Sequence, residues 1–198
     1  AETCDRVAVL SYNCNEFAEI IMALAKLGAM LVPLNWRLTP VELTFILQDS
    51  GARTLFYDAS FTTAAEELQK KTSLNNLISL YGGSPLDKAK IYDDFIAGKP
   101  VTEPVPSSPV GLETPHIIMY TAGTTGKPKG AVLTQGASFW NAVNCIAAMS
   151  LRADDRDLNV LPMFHIGGIG LFTLPLFYMG GTVLLLRTFD PAKALEII

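Results

Sequence analysis

The residues best suited to chemistry lie in one short segment, Tyr120 to Gly130, which reads YTAGTTGKPKG. Glycine and threonine disfavour helix, and the lysines could not be buried in a core strand, so the segment predicts an exposed loop. Glycine backbone N–H groups can approach an anion closely, threonine hydroxyls can donate to it, and lysines supply positive charge. The pattern therefore predicts a polyphosphate-binding loop. The residues that we expect to contact phosphate are Thr121, Ala122, Gly123, Thr124, Thr125, Gly126, Lys127, Pro128 and Lys129.

Three common nucleotide-binding and nucleophile patterns do not fit the sequence. In the Walker A pattern, Thr121 stands where the first glycine belongs, and Pro128 stands where Ser or Thr follows the lysine. The dinucleotide pattern GxGxxG fails at Gly168, because Thr173 occupies its third glycine position. The GxSxG pattern of a nucleophile elbow is absent. The loop is therefore neither that of a P-loop NTPase nor that of a dinucleotide enzyme.

Alternating strand and helix patterns precede this loop. Strands are predicted over 7–10, 29–33 and 54–57, with amphipathic helices between them. Asn13 and Glu16 have the spacing of a capping box for the first helix, which Gly28 would end. Thr39 and Glu42 have the same spacing at the second helix. This order predicts an α/β fold with mostly parallel sheets flanked by helices.

Further elements follow on both sides of a proline-rich stretch. In chain order, we expect a polar helix over 58–76, strands over 77–81, 116–121 and 131–133, a helix over 135–149 and a strand over 157–161. Five prolines between Gly98 and Pro115 indicate an extended connector. We therefore divide the chain into a first α/β subdomain (1–99), a connector (100–115) and a second α/β portion (116–198). We expect this last portion to be truncated, since a helix begins at Asp190 and has not ended at Ile198.

The segment 161–186 carries no Asp, Glu, Lys or Arg and is long enough to cross a bilayer. Its prolines and paired glycines would break a spanning helix repeatedly. We therefore predict a loop, a helix and an inner strand, and no integral membrane span.

Composition excludes several classes of protein. The net charge is -4 and no basic run is present, so nucleic-acid binding is not expected. The three cysteines, an odd number without CxxC spacing, predict neither a disulfide framework nor a zinc site. Without a leader pattern, we expect a cytoplasmic protein, with peripheral membrane attachment as the open alternative.

The loop resembles the signature of the adenylate-forming superfamily, which usually runs Thr-Ser-Gly-Thr-Thr-Gly-x-Pro-Lys-Gly. Ala122 replaces the usual serine and removes one hydroxyl. Two further segments resemble the acyl-CoA ligase branch. The segment 24–40 contains Asn-Trp-Arg-Leu after a proline and a leucine, and 161–168, LPMFHIGG, is similar to the Pro-x-Phe-His segment of acyl- and aryl-CoA ligases.

The resemblance implies a two-step reaction. A carboxylate attacks the α-phosphate of Mg²⁺-bound ATP, and the thiol of coenzyme A then attacks the acyl-adenylate. The loop would hold the β- and γ-phosphates, with Thr124 as the candidate metal contact, while His165 and Gly167 would lie near the acyl and pantetheine sites. We interpret Asn35 and Arg37 as structural, and we assign no role to His116 or the cysteines.

The expected partners are therefore small-molecule substrates, with a fatty acid as the first candidate. An aryl-acid–CoA ligase and a luciferase-like adenylating enzyme remain alternatives, as does a non-catalytic nucleotide- or protein-binding module. The Tyr-Gly-x-Thr-Glu segment and the late catalytic lysine of the family are not in these residues. We therefore expect this chain to need the missing C-terminal half of its polypeptide and to be inactive alone.

Overall fold

The computed structural model describes residues 2–80, 86, 89–122 and 127–198. The strands within these residues are β1 (Arg6–Leu10), β2 (Met30–Pro33), β3 (Thr54–Tyr57), β4 (Asn76–Ser79), β5 (Lys90–Ile91), β6 (Pro115–Thr121), β7 (Lys129–Thr134), β8 (Arg156–Asn159) and β9 (Thr182–Leu185). The helices are α1 (Asn15–Leu27), α2 (Pro40–Ser50), α3 (Thr62–Lys71), α4 (Tyr92–Ile96), α5 (Gln135–Met149), α6 (Ile166–Gly170), α7 (Thr173–Met179) and α8 (Pro191–Ile197), with a 3₁₀ turn at Ala59–Phe61.

The strands form a large sheet and a small one. In the large sheet the order is β5-β4-β3-β1-β2-β6-β7, and the strands are parallel except for the antiparallel pair β6 and β7. In the small sheet β8 pairs with β9 in parallel. The predicted α/β class, with mostly parallel sheets flanked by helices, is confirmed.

The central strands of the large sheet are buried on both faces. Successive strand residues point to opposite sides, so Val7 and Val9 pack with α1 on one face while Ala8 and Leu10 pack with α2 on the other. This burial explains why β1 and β2 read as continuous apolar runs in the sequence.

Two helix starts were predicted from the same capping pattern, and one prediction is correct. Thr39 N donates to Glu42 Oε2 at 2.8 Å, and Glu42 N donates to Thr39 Oγ1 at 3.4 Å, so the capping box of α2 is confirmed. The box predicted at α1 is wrong. Cys14 is the N-cap there and makes no side-chain capping bond, because the Asn13 side chain bonds to distant segments instead. Gly28 ends α1 with a φ of +69°, as predicted.

The region around the proline-rich connector differs in detail from the prediction. The expected helix over 58–76 is shorter, and the strand predicted over 77–81 is β4, with 81 outside the described residues. The short elements β5 and α4 were missed. Beyond the connector, β6 pairs with β2, so the large sheet continues across it. The division of the chain at 100–115 stays a prediction.

The apolar stretch 161–186 folds as the short helices α6 and α7 followed by β9. In the part of the chain that the structure describes, no helix is long and apolar enough to cross a membrane. Among the described strands β9 pairs with β8 alone, and Leu184 is 44% exposed, so the inner position of this strand stays a prediction.

Candidate functional site

The candidate site lies at the carboxyl edge of the large sheet. Strands β1, β2, β3 and β6 run in the same direction, so the loops that follow them leave the sheet at one edge. Ligands in α/β proteins bind outside the carboxyl ends of such strands. Tyr12 follows β1, Trp36 follows β2, Asp58 follows β3, and the predicted phosphate loop follows β6.

The β6–β7 hairpin supports the phosphate loop. Tyr120 pairs with Gly130 and Thr121 with Lys129, so the loop begins and ends on paired strands. Thr121, Ala122, Lys127 and Lys129 are exposed, and Pro128 is half-buried. The remaining predicted phosphate contacts, Gly123, Thr124, Thr125 and Gly126, lie outside the described residues. The structure thus brings both lysines to solvent at the carboxyl edge, and their phosphate-binding role stays a prediction.

Tyr120 anchors the loop end of this hairpin to α2. Its hydroxyl donates to Asp49 Oδ2 at 2.6 Å, and burial together with this carboxylate raises the pKa of the phenol. Gly130 pairs with Tyr120 on β7, and this position requires glycine. A Cβ there would lie 2.9 Å from Ile118 Cγ2 and 3.1 Å from the Tyr120 ring. The sequence carried no signal for this anchor, since Asp49 is distant along the chain.

The second predicted site segment ends at α6. His165 is the N-cap residue of that helix, and its Nδ1 accepts a hydrogen bond from Gly167 N at 3.1 Å while the side chain stays exposed. A Cβ at Gly167 would lie 3.2 Å from the same nitrogen. A side chain at 167 would therefore crowd the imidazole, which links the two residues predicted for the acyl and pantetheine sites.

An aromatic cluster, formed by Tyr12, Trp36, Phe61 and Phe164, joins this segment to the large sheet. The Tyr12 ring centre lies 4.9 Å from that of Trp36 and 5.0 Å from that of Phe61. Trp36 meets Phe164 edge-on at 5.8 Å. Phe164 precedes His165 directly, so these contacts place the His165 segment beside the carboxyl edge of β1 and β2.

Two arginines lie over the aromatic cluster and line a cavity of about 590 Å³. The guanidinium carbon of Arg37 is 4.8 Å from the Trp36 ring centre, and that of Arg187 is 4.8 Å from the Tyr12 ring centre. Such contacts hold a cation over an aromatic face. Arg37 was interpreted from the sequence as structural, yet it is exposed at this cavity, whereas Asn35 makes the expected local bond to Arg37 N at 3.0 Å.

Arg187 also ties the small sheet to the large one. Its Nη2 lies 2.6 Å from Oδ2 of Asp58, whose side chain is 1% exposed. Asp58 follows β3 and Arg187 follows β9, so the ion pair joins the carboxyl ends of the two sheets. No pattern local to either residue could predict it.

Other titratable groups are poor candidates for chemistry. Burial raises the pKa of the Cys14 thiol to about 11, so it is protonated at neutral pH and is not a nucleophile. His116 lies at the start of β6, at the opposite end of that strand from the phosphate loop. Within the described residues, no group of three or more His, Cys, Asp or Glu side chains could hold a metal ion.

Comparison with known proteins assigns the family. The whole chain, residues 1–198, matches the AMP-binding enzyme family. The chain belongs to this family. The resemblance of its loop and flanking segments to acyl-CoA ligases is thereby confirmed.

Relatives of this AMP-binding chain act on different acids, according to their names. It is 39% identical over 193 residues to the indoleacetate–CoA ligase of Aromatoleum aromaticum, covering 97% of this chain and 37% of the ligase. It is 33% identical over 195 residues to the long-chain-fatty-acid–CoA ligase FadD13 of Mycobacterium tuberculosis, covering 98% of this chain and 37% of the ligase. The chain therefore spans little more than a third of the length of these curated relatives.

Solved structures agree with the fold. The inhibitor-bound N-terminal domain of FACL13 from Mycobacterium tuberculosis superimposes with a TM-score of 0.83 at 32% sequence identity. The match covers 100% of this chain and 48% of that domain. The AMP-binding chain thus corresponds to part of an N-terminal domain.

Proposed function

We propose that the complete protein containing this chain is an ATP-dependent acid–CoA ligase. In the first step, a carboxylate oxygen of the acid forms a bond to the α-phosphorus of ATP, and the bond to the bridging oxygen breaks so that pyrophosphate leaves. In the second step, the sulfur of coenzyme A bonds to the acyl carbon, the thiol proton is lost and AMP leaves. The observation that carries this proposal is the β6–β7 hairpin, which presents Lys127 and Lys129 at the carboxyl edge.

In this reaction the hairpin would stabilise the departing pyrophosphate. Negative charge grows on the leaving group as the bond to the α-phosphate breaks, and fixed positive groups stabilise that change. Lys127 and Lys129 are both exposed where the loop enters β7, so we expect their amines to face a nucleotide lying over this edge. The loop backbone and the Thr121 hydroxyl would add donors. The lysines would thus stabilise the transition state more than they stabilise bound ATP.

Magnesium would enter with the nucleotide. Mg²⁺ keeps several waters and is commonly bound through substrate phosphates with one or two protein ligands. The described residues contain no carboxylate cluster that would fit a separate magnesium site. We propose that Thr124 supplies the contact from this chain. When bound, the ion would offset phosphate charge, while the lysines and hydroxyls orient the leaving group.

The acid is proposed to have a large apolar body. A fatty acid remains the first candidate, and an aryl acid is the second, supported by the 39% identity to an indoleacetate–CoA ligase. These classes are separated by assaying the complete protein with a panel of fatty acids of increasing length and with indoleacetate. The acid with the largest kcat/KM identifies the class.

The phosphate-loop assignment is tested by substituting its lysines in the complete protein. We expect Lys127→Ala and Lys129→Ala each to slow acid-dependent exchange of pyrophosphate into ATP by at least about tenfold, because each removes a charge that stabilises the leaving group. Lys70→Ala is the matched control, since Lys70 is 70% exposed on α3 and should leave the exchange rate unchanged.

Two results would count against these proposals. Normal exchange in both lysine variants would contradict the role of the loop. Absence of exchange with every acid, together with ATP binding measured by calorimetry, would instead support a non-catalytic nucleotide-binding module.

A further inference from the structure

The segment that carries His165 is held by two buried asparagines. This segment, 160–168, runs from the end of β8 into the first turn of α6. Asn13 lies after β1 in the large sheet and is 6% exposed, and Asn159 ends β8 in the small sheet and is 5% exposed. We call these two residues the asparagine clamp.

Asn13 joins the large sheet to both segments that leave the small sheet. Its Nδ2 donates to the Leu161 carbonyl at 2.8 Å and to the Leu186 carbonyl at 3.0 Å. Its Oδ1 accepts from Met163 N at 2.8 Å. Its backbone N–H donates to the Arg187 carbonyl at 3.2 Å. Both amide protons and the amide oxygen are therefore used, and all three side-chain partners are backbone groups.

Asn159 holds the same segment from the other side. Its Nδ2 donates to the Gly168 carbonyl at 2.8 Å and to Thr173 Oγ1 at 2.9 Å, and its Oδ1 accepts from Leu161 N at 3.0 Å. Thr173 Oγ1 donates to the same Gly168 carbonyl at 2.8 Å. The beginning and the end of the His165 segment are thus tied to one side chain.

The path of the segment between these bonds is tightly constrained. A Cβ at Gly168 would lie 2.3 Å from the Pro162 carbonyl oxygen, so this position excludes any side chain. His165 N donates to the same Pro162 carbonyl at 3.0 Å. The chain therefore folds back on itself with His165 at the turn. The bonds of the asparagine clamp determine where this turn sits.

We propose that Asn13 and Asn159 are positioning residues that fix the His165 imidazole relative to the β6–β7 hairpin. This inference rests on the proposed function. Asn13 follows β1 in the sheet that also carries the phosphate hairpin, so its bonds set the small sheet, and His165 with it, in a defined place at the carboxyl edge. The His165 side chain is exposed, and in the described structure its imidazole accepts a hydrogen bond from Gly167 N.

Asparagine is the residue type that this geometry requires at position 13. Aspartate would lose both donated bonds and bury a negative charge against two carbonyl groups. Leucine would leave two carbonyls and the Met163 N–H buried without partners. Serine is too short to span the two carbonyls and the N–H together.

The test is a double-mutant cycle in the complete protein between Asn13→Ser and His165→Ala. We expect Asn13→Ser to lower kcat/KM for coenzyme A and for the acid by about 10- to 100-fold, the range seen when oriented groups are misplaced. The KM for ATP should change less than about twofold, because the hairpin is untouched. In the His165→Ala background, Asn13→Ser should have little further effect, since residues that act as a unit are non-additive.

Two controls distinguish positioning from general stability. Leu43→Ala removes a buried side chain on the opposite face of the sheet and should lower the melting temperature without changing these kinetic ratios. Asn76→Ser replaces an exposed asparagine at the start of β4 and should change neither. If Asn13→Ser does not fold, Asn159→Ser is used in the same cycle, because it leaves the large sheet intact.

The outcomes separate the inference from the proposed function. A loss of kcat/KM that is the same with and without His165 would overturn the positioning role while leaving the ligase assignment intact. An inactive wild-type protein would overturn the proposed function. Faster amide hydrogen exchange at Met163 and Gly168 in Asn13→Ser, with unchanged exchange in β3, supports the inference independently of activity. Unchanged exchange at both amides would count against it.

Discussion

At the scale of single residues, His116 shows how burial changes a titratable group. The side chain is 3% exposed, and its Nδ1 lies 2.9 Å from Ser138 Oγ. Burial lowers the pKa of His116, and the nearby Ile21 carbonyl offsets the effect only in part. The folded protein therefore keeps this histidine neutral at a pH where the unfolded chain already takes up a proton.

We predict that His116 makes the chain less stable as pH falls from 7 to 5. The unfolded histidine binds a proton below its usual pKa of about 6.5, whereas the folded one binds it only at lower pH, so in the interval between the two pKa values the free energy of unfolding drops by up to about 1.4 kcal/mol per pH unit. His116→Gln should show a weaker pH dependence than wild type in urea unfolding at pH 7 and 5. Measurements at pH 8, where both side chains are neutral, give the packing cost of the substitution. Equal pH dependence of the two proteins would contradict the prediction.

A residue's role can be proposed from the sequence when the residues that act together are close along the chain. The phosphate loop could be proposed because its glycines, threonines and lysines are contiguous, and its role stays a prediction. Asn13 was misread as a helix cap because Glu16 stands at capping-box spacing, while its real partners are Leu161, Met163 and Leu186. The Asp58–Arg187 ion pair was invisible for the same reason. Bonds between distant segments depend on tertiary structure, which short-range spacing does not encode.

At the scale of elements, the capping box of α2 gives a direct measure of local stabilisation. We predict that Thr39→Ala lowers the free energy of unfolding by about 1 kcal/mol, because the Glu42 N–H loses its acceptor at the first turn. Thr63→Ala, at an exposed position inside α3, is the matched control and should have no cost, since alanine favours helix. Urea unfolding of both variants measures the difference. A Thr39→Ala cost no larger than that of the control would show that the cap adds nothing.

Most elements were predictable, and the failures have identifiable causes. The strands β1, β2 and β3 follow from apolar runs, α1 follows from apolar periodicity and the terminating Gly28, and α2 follows from its capping box. The elements β5 and α4 span two and five residues, which is too short for periodicity to emerge. For β9, the apolar content predicted a strand correctly. It did not specify how many other strands would pair with it.

At the scale of the whole molecule, this chain holds only part of the machinery of its family. We predict that the isolated 198-residue chain forms no acyl-adenylate. The resemblance implies a Tyr-Gly-x-Thr-Glu segment and a late catalytic lysine, and neither is in these residues. Mass spectrometry after incubation with ATP and either a fatty acid or indoleacetate measures the product. The complete protein is the positive control, and acyl-adenylate from the isolated chain would refute the prediction.

The strand order of the large sheet has a consequence for how the chain folds during synthesis. In the final fold β2 lies between β1 and β6, but the long stretch from α2 to the proline-rich connector is made before β6 emerges. Because ribosomes add about 5–20 residues per second, one edge of β2 waits on the order of ten seconds for its neighbour. That edge is the apolar run Met30–Pro33. An unpaired apolar edge is a template for association with other chains, so during this interval the nascent protein exposes a site at which it can aggregate.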